Sequence, residues 1–203
     1  MRRILSVCLA SSSLLWATLT APAFAQQRQQ PAQEEPQAPT EQLLFGPPAG
    51  WVSAFDQTAG RMRTMQFLPP GQTPAAWQDM LIVQMRAGQR VPPEAFLGEV
   101  PSRIEGDCSE VWLGDIQSGP RNGYPAAFRM VACGLNHHSN MGEFSLFYVV
   151  TGKAGIYAFQ RAWQVPPFDA NSKPISKDTL AAGMRYLESI KVCDTADPAH
   201  PCR

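Results

Sequence analysis

The side chains best suited to chemistry are four cysteines and one pair of adjacent histidines. Cys108, Cys133, Cys193 and Cys202 follow a fifth cysteine, Cys8, which lies inside the apolar run that opens the chain. An even number of cysteines in an exported protein reads as two disulfides. Cys108 and Cys133 flank a hairpin that centres on Pro120-Arg121. Counting outward from that centre sets them opposite each other, Val111 opposite Met130, Leu113 opposite Phe128, and Trp112 opposite Arg129. A bridge across this loop stabilises by roughly 3 kcal/mol in the loop-entropy model. The pair lacks the Cys-x-x-Cys spacing of a redox-active dithiol. Cys193 and Cys202 bracket Asp194 to Pro201, so a local bridge pins the tail beside the last helix. A metal site from Cys193, His200 and Cys202 is the alternative; it needs a distant fourth ligand, and thiols in an oxidising compartment pair first.

His137 and His138 occupy the loop Leu135 to Gly142, and Glu143 is the only carboxylate close in sequence. Acid–base work there requires that carboxylate to converge on a ring. The chain carries no Gly-x-Ser-x-Gly, no His-Glu-x-x-His, no phosphate-cradling glycine loop and no dinucleotide fingerprint. No cofactor, no metal and no catalytic residue is therefore assigned. Trp112, on the face away from Val111 and Leu113, forms with Arg129, His137 and His138 the candidate binding surface, provided that no helix covers it.

Compartment follows from the first 25 residues. Arg2 and Arg3 precede the apolar run Ile4 to Leu19, and Ala23-Phe24-Ala25 offers small residues where a signal peptidase reads. Cleavage before Gln26 leaves 178 residues. The run is too short, and too interrupted by Ser11-Ser12-Ser13, for a retained membrane span. Lysine plus arginine equals aspartate plus glutamate at 17 each, so loss of Arg2 and Arg3 leaves the processed chain near −2. That balance offers nothing to a nucleic acid or an anionic membrane. Arginine outnumbers lysine 13 to 4, and alanine and proline are abundant, a bias of GC-rich bacterial genomes. The destination is then the periplasm.

Gln26 to Gln42 is glutamine, proline and glutamate with almost nothing apolar, which predicts a disordered tether. From Leu43 the pattern predicts strands at Trp51 to Gln57 and Arg61 to Leu68, a short helix at Pro74 to Gln78, and a buried strand at Met80 to Met85. A helix at Pro93 to Glu105, kinked by Pro101, comes next. Strands follow at Glu110 to Gln117, Tyr124 to Cys133, Phe144 to Thr151 and Ile156 to Gln164. A last helix runs from Lys177 to Ile190 and a tail from Val192 to Arg203. Successive hairpins make the sheet mostly antiparallel. Two longer helices each need an apolar surface, so the expectation is an α+β fold, an α/β/α sandwich over residues 43–191.

Gly50-Trp51, the hairpin to Phe67-Leu68-Pro69, Gly71-Gln72-Thr73, Trp77 and the strand Met80 to Gln84 together resemble the N-terminal half of the PsbP-like family, whose members include PsbP and the Ran-binding Mog protein. The order of elements through residue 191 resembles it too. The Pro-x-Gly-x-Thr-x-x-x-Trp run and cysteine-bearing tail are also similar to uncharacterised exported proteobacterial proteins. The resemblance implies a non-enzymatic binding or assembly module, and for an exported chain the expected partner is an envelope protein. It transfers no site residues, and the paired cysteines and C-terminal extension depart from PsbP. The alternatives are an enzyme working near His137-His138, or a carrier of a small apolar ligand.

Overall fold

The computed structural model describes residues 40–203 except Ala170 and Lys173. The expected signal peptide, and the expected tether up to residue 39, lie outside the described residues. Thirteen elements follow in order: β1 (Glu41–Leu44), β2 (Val52–Ala59), β3 (Met62–Leu68), β4 (Asp79–Ala87), α1 (Pro93–Gly98), α2 (Val100–Ile104), β5 (Cys108–Leu113), β6 (Gln117–Arg121), β7 (Tyr124–Asn136), β8 (Met141–Thr151), β9 (Gly155–Val165), α3 (Lys177–Ser189) and β10 (Lys191–Asp194).

Eight strands form one antiparallel sheet in the order β2-β3-β4-β9-β8-β7-β5, with β6 also paired to β7. The expected α/β/α sandwich is not what forms. Strands of 13, 11 and 11 residues at β7, β8 and β9 dominate, while the helices have 6, 5 and 13. The protein is a mostly β structure whose short helices cannot make full layers. Two local causes remove helix. At Pro74 to Gln78 the chain makes a tight turn with a Thr73–Ala76 bridge, and the Gln72 side-chain oxygen accepts from the Gln78 and Asp79 N–H groups at 2.7 and 3.2 Å. That side chain offers the backbone an alternative to helical bonding. The helix expected over Pro93 to Glu105 breaks at Glu99, because Pro101 has no N–H to continue the α1 ladder and instead sits in the first turn of α2.

Alternation along β7, β8 and β9 builds a core on each face of the sheet. On one, Leu81, Val83, Leu146, Tyr148, Phe159 and Trp163 pack under Leu187 and Ile190 from α3 and its end. Gly183 lets α3 approach: a Cβ there would stand 2.6 Å from the Trp163 ring. Ser176 caps the helix, accepting from the Thr179 N–H at 3.0 Å. On the other face Phe96, Leu97 and Val100 cover Ala127, Val149, Ile156 and Ala158.

The ends of the folded unit pair with each other. β1 lies antiparallel to β10, with Glu41 opposite Asp194 and Leu44 opposite Lys191, so the folded unit takes in Glu41 and Gln42, which composition assigned to the tether. After β10 the chain hooks back, tied by Cys193–Cys202 and by the Asp194 N–H to the His200 carbonyl at 2.8 Å.

Candidate functional site

The four residues expected to form a binding surface do not come together. The β6–β7 turn falls at Asn122-Gly123, with φ of +48° and +81°, not at Pro120-Arg121. β5 pairs one residue out of step with that turn's register: Val111 with Cys133, Trp112 with Ala132 and Leu113 with Val131. Met130 and Phe128 are therefore not the partners of Val111 and Leu113. Since Trp112 shares a face with Ala132 while Arg129 shares one with Val131, the two lie on opposite faces of the sheet. Trp112 is half-buried and stacks on Phe168, centroids 5.3 Å apart, so an ordinary loop residue covers it and not a helix. Arg129 donates to the Gly114 carbonyl at 3.2 Å and the Leu97 carbonyl at 3.1 Å, tying α1 to the β5–β6 link.

The histidine loop holds fragments of acid–base machinery that do not connect. His137 Nε2 lies 3.2 Å from Ser109 Oγ, whereas Asp107 contacts the other histidine, His138 Nε2, at 2.8 Å. A nucleophile, base and orienting carboxylate must share one ring, and here they use two. Glu143 points elsewhere. It accepts from Ser145 Oγ at 2.9 Å and Gln160 Nε2 at 3.3 Å, beside a cavity of about 50 Å³ also lined by Cys108, Cys133 and Ile104. Burial pushes its carboxyl up from the usual range, against the opposing pull of the Ser145 hydrogen bond.

The cysteines join as Cys108–Cys133 and Cys193–Cys202. The first bridge does not connect residues in register, since Cys108 pairs with Asn136. Glu110 at φ +61° and the register break of β7 on β8 after Cys133 draw the two Cα atoms to 5.6 Å.

A larger concave surface lies at the opposite end of the sheet, where the β2–β3 and β8–β9 turns meet the end of β4. It is a cleft of about 430 Å³, against about 170 Å³ for the hollow between α3 and β6. Its walls come from the β2–β3 turn, the end of β4, the β8–β9 turn and Glu41 of β1. Backbone bonds stitch these walls: Ala87 N–H to the Arg61 carbonyl at 2.8 Å, and Gly88 N–H to the Ala154 carbonyl at 2.7 Å. Met85, Ala87 and Tyr157, on one face, supply an apolar floor, whereas Arg86 and Ile156, paired with each other, direct their side chains to the opposite face, where Phe96 lies.

Polar groups around this floor are of two kinds. Glu41 is satisfied: its carboxylate accepts from the Lys153 N–H at 2.6 Å, the Ala154 N–H at 2.9 Å and the Tyr157 hydroxyl at 2.8 Å. Burial, then that bond to Glu41, pushes the Tyr157 hydroxyl well above its ordinary range, so it stays a donor. Arg63 is satisfied by Asp56 at 2.7 Å. Arg61 and Arg86 are not. Among the described residues neither forms an ion pair, and the Arg86 Nε is buried without a partner. Arg86 reaches only Gln84 Oε1 at 3.4 Å and lies over the Phe96 ring at 4.9 Å. The carboxylate whose charge it feels, Glu99, is taken by Arg103 at 2.8 Å. Burial, and then repulsion from Arg103, hold the Arg86 guanidinium below its usual affinity for a proton.

Composition gave no sign of this site. The recoverable signal is the Arg61-Met62-Arg63 alternation at a turn, together with the register that puts Arg86 beside Met62. No protein-family model matches the chain, and no characterised protein matches it in sequence. The resemblance to PsbP-like proteins rests on the residue pattern alone, and the sandwich it implied does not form. Two disulfides agree with an oxidising, exported location, and among the described residues no helix is long and apolar enough to cross a membrane.

Proposed function

We propose that this chain is a periplasmic, non-catalytic binding module whose ligand site is the cleft at the β2–β3 end of the sheet. One observation carries the reading: a cleft of about 430 Å³ sets Arg61, which forms no ion pair among the described residues, beside an apolar lining from Met85, Ala87 and Tyr157. An apolar pocket with a few convergent polar groups is the usual form of a small-ligand site, and 430 Å³ lies within the usual size range. The groups able to move protons are scattered or bound to separate partners, which favours binding over turnover. An envelope protein partner fits the same module if it presents the ligand group.

A thermal-stability screen tests this with the wild-type chain and Thr58→Trp, a substitution that fills the cleft from an exposed position of β2. Neutral, anionic and cationic small molecules are each tried. Compounds that stabilise wild type, fail to stabilise Thr58→Trp and are recovered unchanged support the proposal. Stabilising compounds indifferent to Thr58→Trp, or converted to product, overturn it.

A further inference from the structure

We infer that the hollow between α3 and β6 binds a free α-amino acid with an apolar side chain, at a site separate from the cleft. Strand register puts its floor on one face of the sheet: Gly119 lies opposite Ala126, and Phe128 opposite Tyr148. Met184 and Glu188 of α3 supply the facing wall, and Arg121 ends β6 beside them. The hollow, of about 170 Å³, adjoins a smaller one of about 100 Å³ lined also by Ser189 to Val192. Arg121, Tyr148 and Glu188 line both, so they stand at the junction. Tyr148 is only 2% exposed, and its ring centroid is 5.8 Å from those of Phe128 and Phe159. Among the described residues its hydroxyl has no hydrogen-bond partner, although Arg121 and Glu188 are close enough for their charges to act on it. Burial pushes that hydroxyl up to about 12, with Arg121 opposing the rise and Glu188 adding to it, so it stays a donor. A buried donor is costly unless something in the hollow accepts from it.

Arg121 and Glu188 decide what that acceptor belongs to. Their nearest atoms are 3.7 Å apart, and their side chains are about half exposed. Charge-assisted hydrogen bonds run to roughly 2.7–2.9 Å, so this pair is loose and holds little energy of its own. The third charge of the junction, Lys191, is engaged, donating to the Arg203 carbonyl at 2.9 Å. A ligand with one charge would take Arg121 or Glu188 and leave the other unpaired. A molecule with a carboxylate and an ammonium on one carbon takes both. Its carboxylate accepts from Arg121 and from the Tyr148 hydroxyl, and its ammonium donates to Glu188. What remains must suit Ala126, Phe128, Met184 and the Tyr148 ring, which favour apolar contact. An apolar cavity of about 150 Å³ takes a benzene ring, so a branched alkyl or aryl side chain has room here.

Calorimetric titration of the whole chain, expressed with residues 1–25 in place, purified from the envelope and dialysed free of amino acids, tests the inference. The probes are L-leucine, L-phenylalanine, glycine, N-acetyl-L-leucine and L-leucinamide. Leucine or phenylalanine should bind at least tenfold tighter than the other three, which lack the side chain, the ammonium or the carboxylate. Arg121→Gln, Glu188→Gln and Tyr148→Phe should each weaken that binding by roughly tenfold, the effect of one hydrogen bond to a charged group. Gly119→Leu should abolish it, since a Cβ at Gly119 meets nothing within 4 Å and the longer side chain fills the hollow. N-acetyl-L-leucine or L-leucinamide binding as tightly as leucine overturns the inference. So does binding that survives Gly119→Leu, binding that Thr58→Trp removes, or no binding by any probe at millimolar concentration. Thermal unfolding of each variant without ligand separates lost binding from lost fold. Arg121→Gln and Glu188→Gln change half-exposed side chains, so they test the site even where Gly119→Leu does not fold.

Discussion

Arg161 and Arg86 sit on adjoining strands toward opposite ends of the β4–β9 pair, and their surroundings could hardly differ more. Arg161 makes two bonds to Asp79, 2.6 and 2.7 Å long, and lies over the Trp51 ring at 4.2 Å. Its end of the sheet is closed, with Cys108–Cys133 nearby on β5 and β7 and Glu143 satisfied by Ser145 and Gln160. Arg86 has no ion pair; it lies over the Phe96 ring with its Nε buried and unpartnered. The same residue type holds the fold at one end and is left without a carboxylate at the other. What separates the two is a carboxylate within reach, not burial or charge.

The comparison breaks first at the closed end. Replacing Cys108 and Cys133 by alanine should cost about 3.5 kcal/mol, from a loop of 25 residues in the loop-entropy model, as read by denaturant unfolding. Asp79→Ala should cost about 2–3 kcal/mol, because it leaves the Arg161 guanidinium, only 12% exposed, without its partner. A loss below about 0.5 kcal/mol would show that the pair at the closed end is as dispensable as a surface one. Glu143→Gln gives a smaller effect with a pH signature. Burial raises the native carboxyl above its ordinary 4.5, so the wild type keeps this contribution fully below pH 4.5 and loses it as pH rises through the native value. The variant should therefore match wild type near pH 4 and exceed it at pH 7; a difference that shrinks with rising pH would contradict the assignment. Smallest of all, Arg86→Gln should change stability by less than about 0.5 kcal/mol, since it removes no ion pair and relieves repulsion from Arg103.

Much of the sheet can be read in advance, and the reasons for the failures are physical. Long alternating runs such as Phe144 to Thr151 and Ile156 to Gln164 show their strands directly, because burial on both faces leaves few polar positions. The β6–β7 turn is legible in Asn122-Gly123, the dipeptide that a two-residue turn with two positive φ angles selects, whereas Pro120-Arg121 is merely central between the cysteines. The later turn slides the partner of Trp112 along β7, and the one-residue offset between β5 and β6 then puts Trp112 and Arg129 on opposite faces, which dissolves the expected surface. Cysteine spacing suggested pairs that the structure also holds, yet the first bridge depends on distortions at Glu110 and after Cys133 that no local pattern reveals. The cleft was hidden for another reason. Its residues come from two turns, the end of β4 and β1, between positions 41 and 157, so it exists only once the sheet is assembled.

The pairing of β1 with β10 sets an order of events. A chain is made, and crosses a membrane, N-terminus first. Among the described residues β1 has no strand partner other than β10, which begins at Lys191, and Thr40 receives its bond from Thr195 at 3.0 Å. The earliest strand to emerge must therefore wait for nearly the last residues before it finds its place. Glu41 rides on that strand and closes one wall of the cleft. A chain arrested before residue 191 could assemble the eight-stranded sheet, yet would lack that wall; ligand capture would report that the whole molecule has arrived.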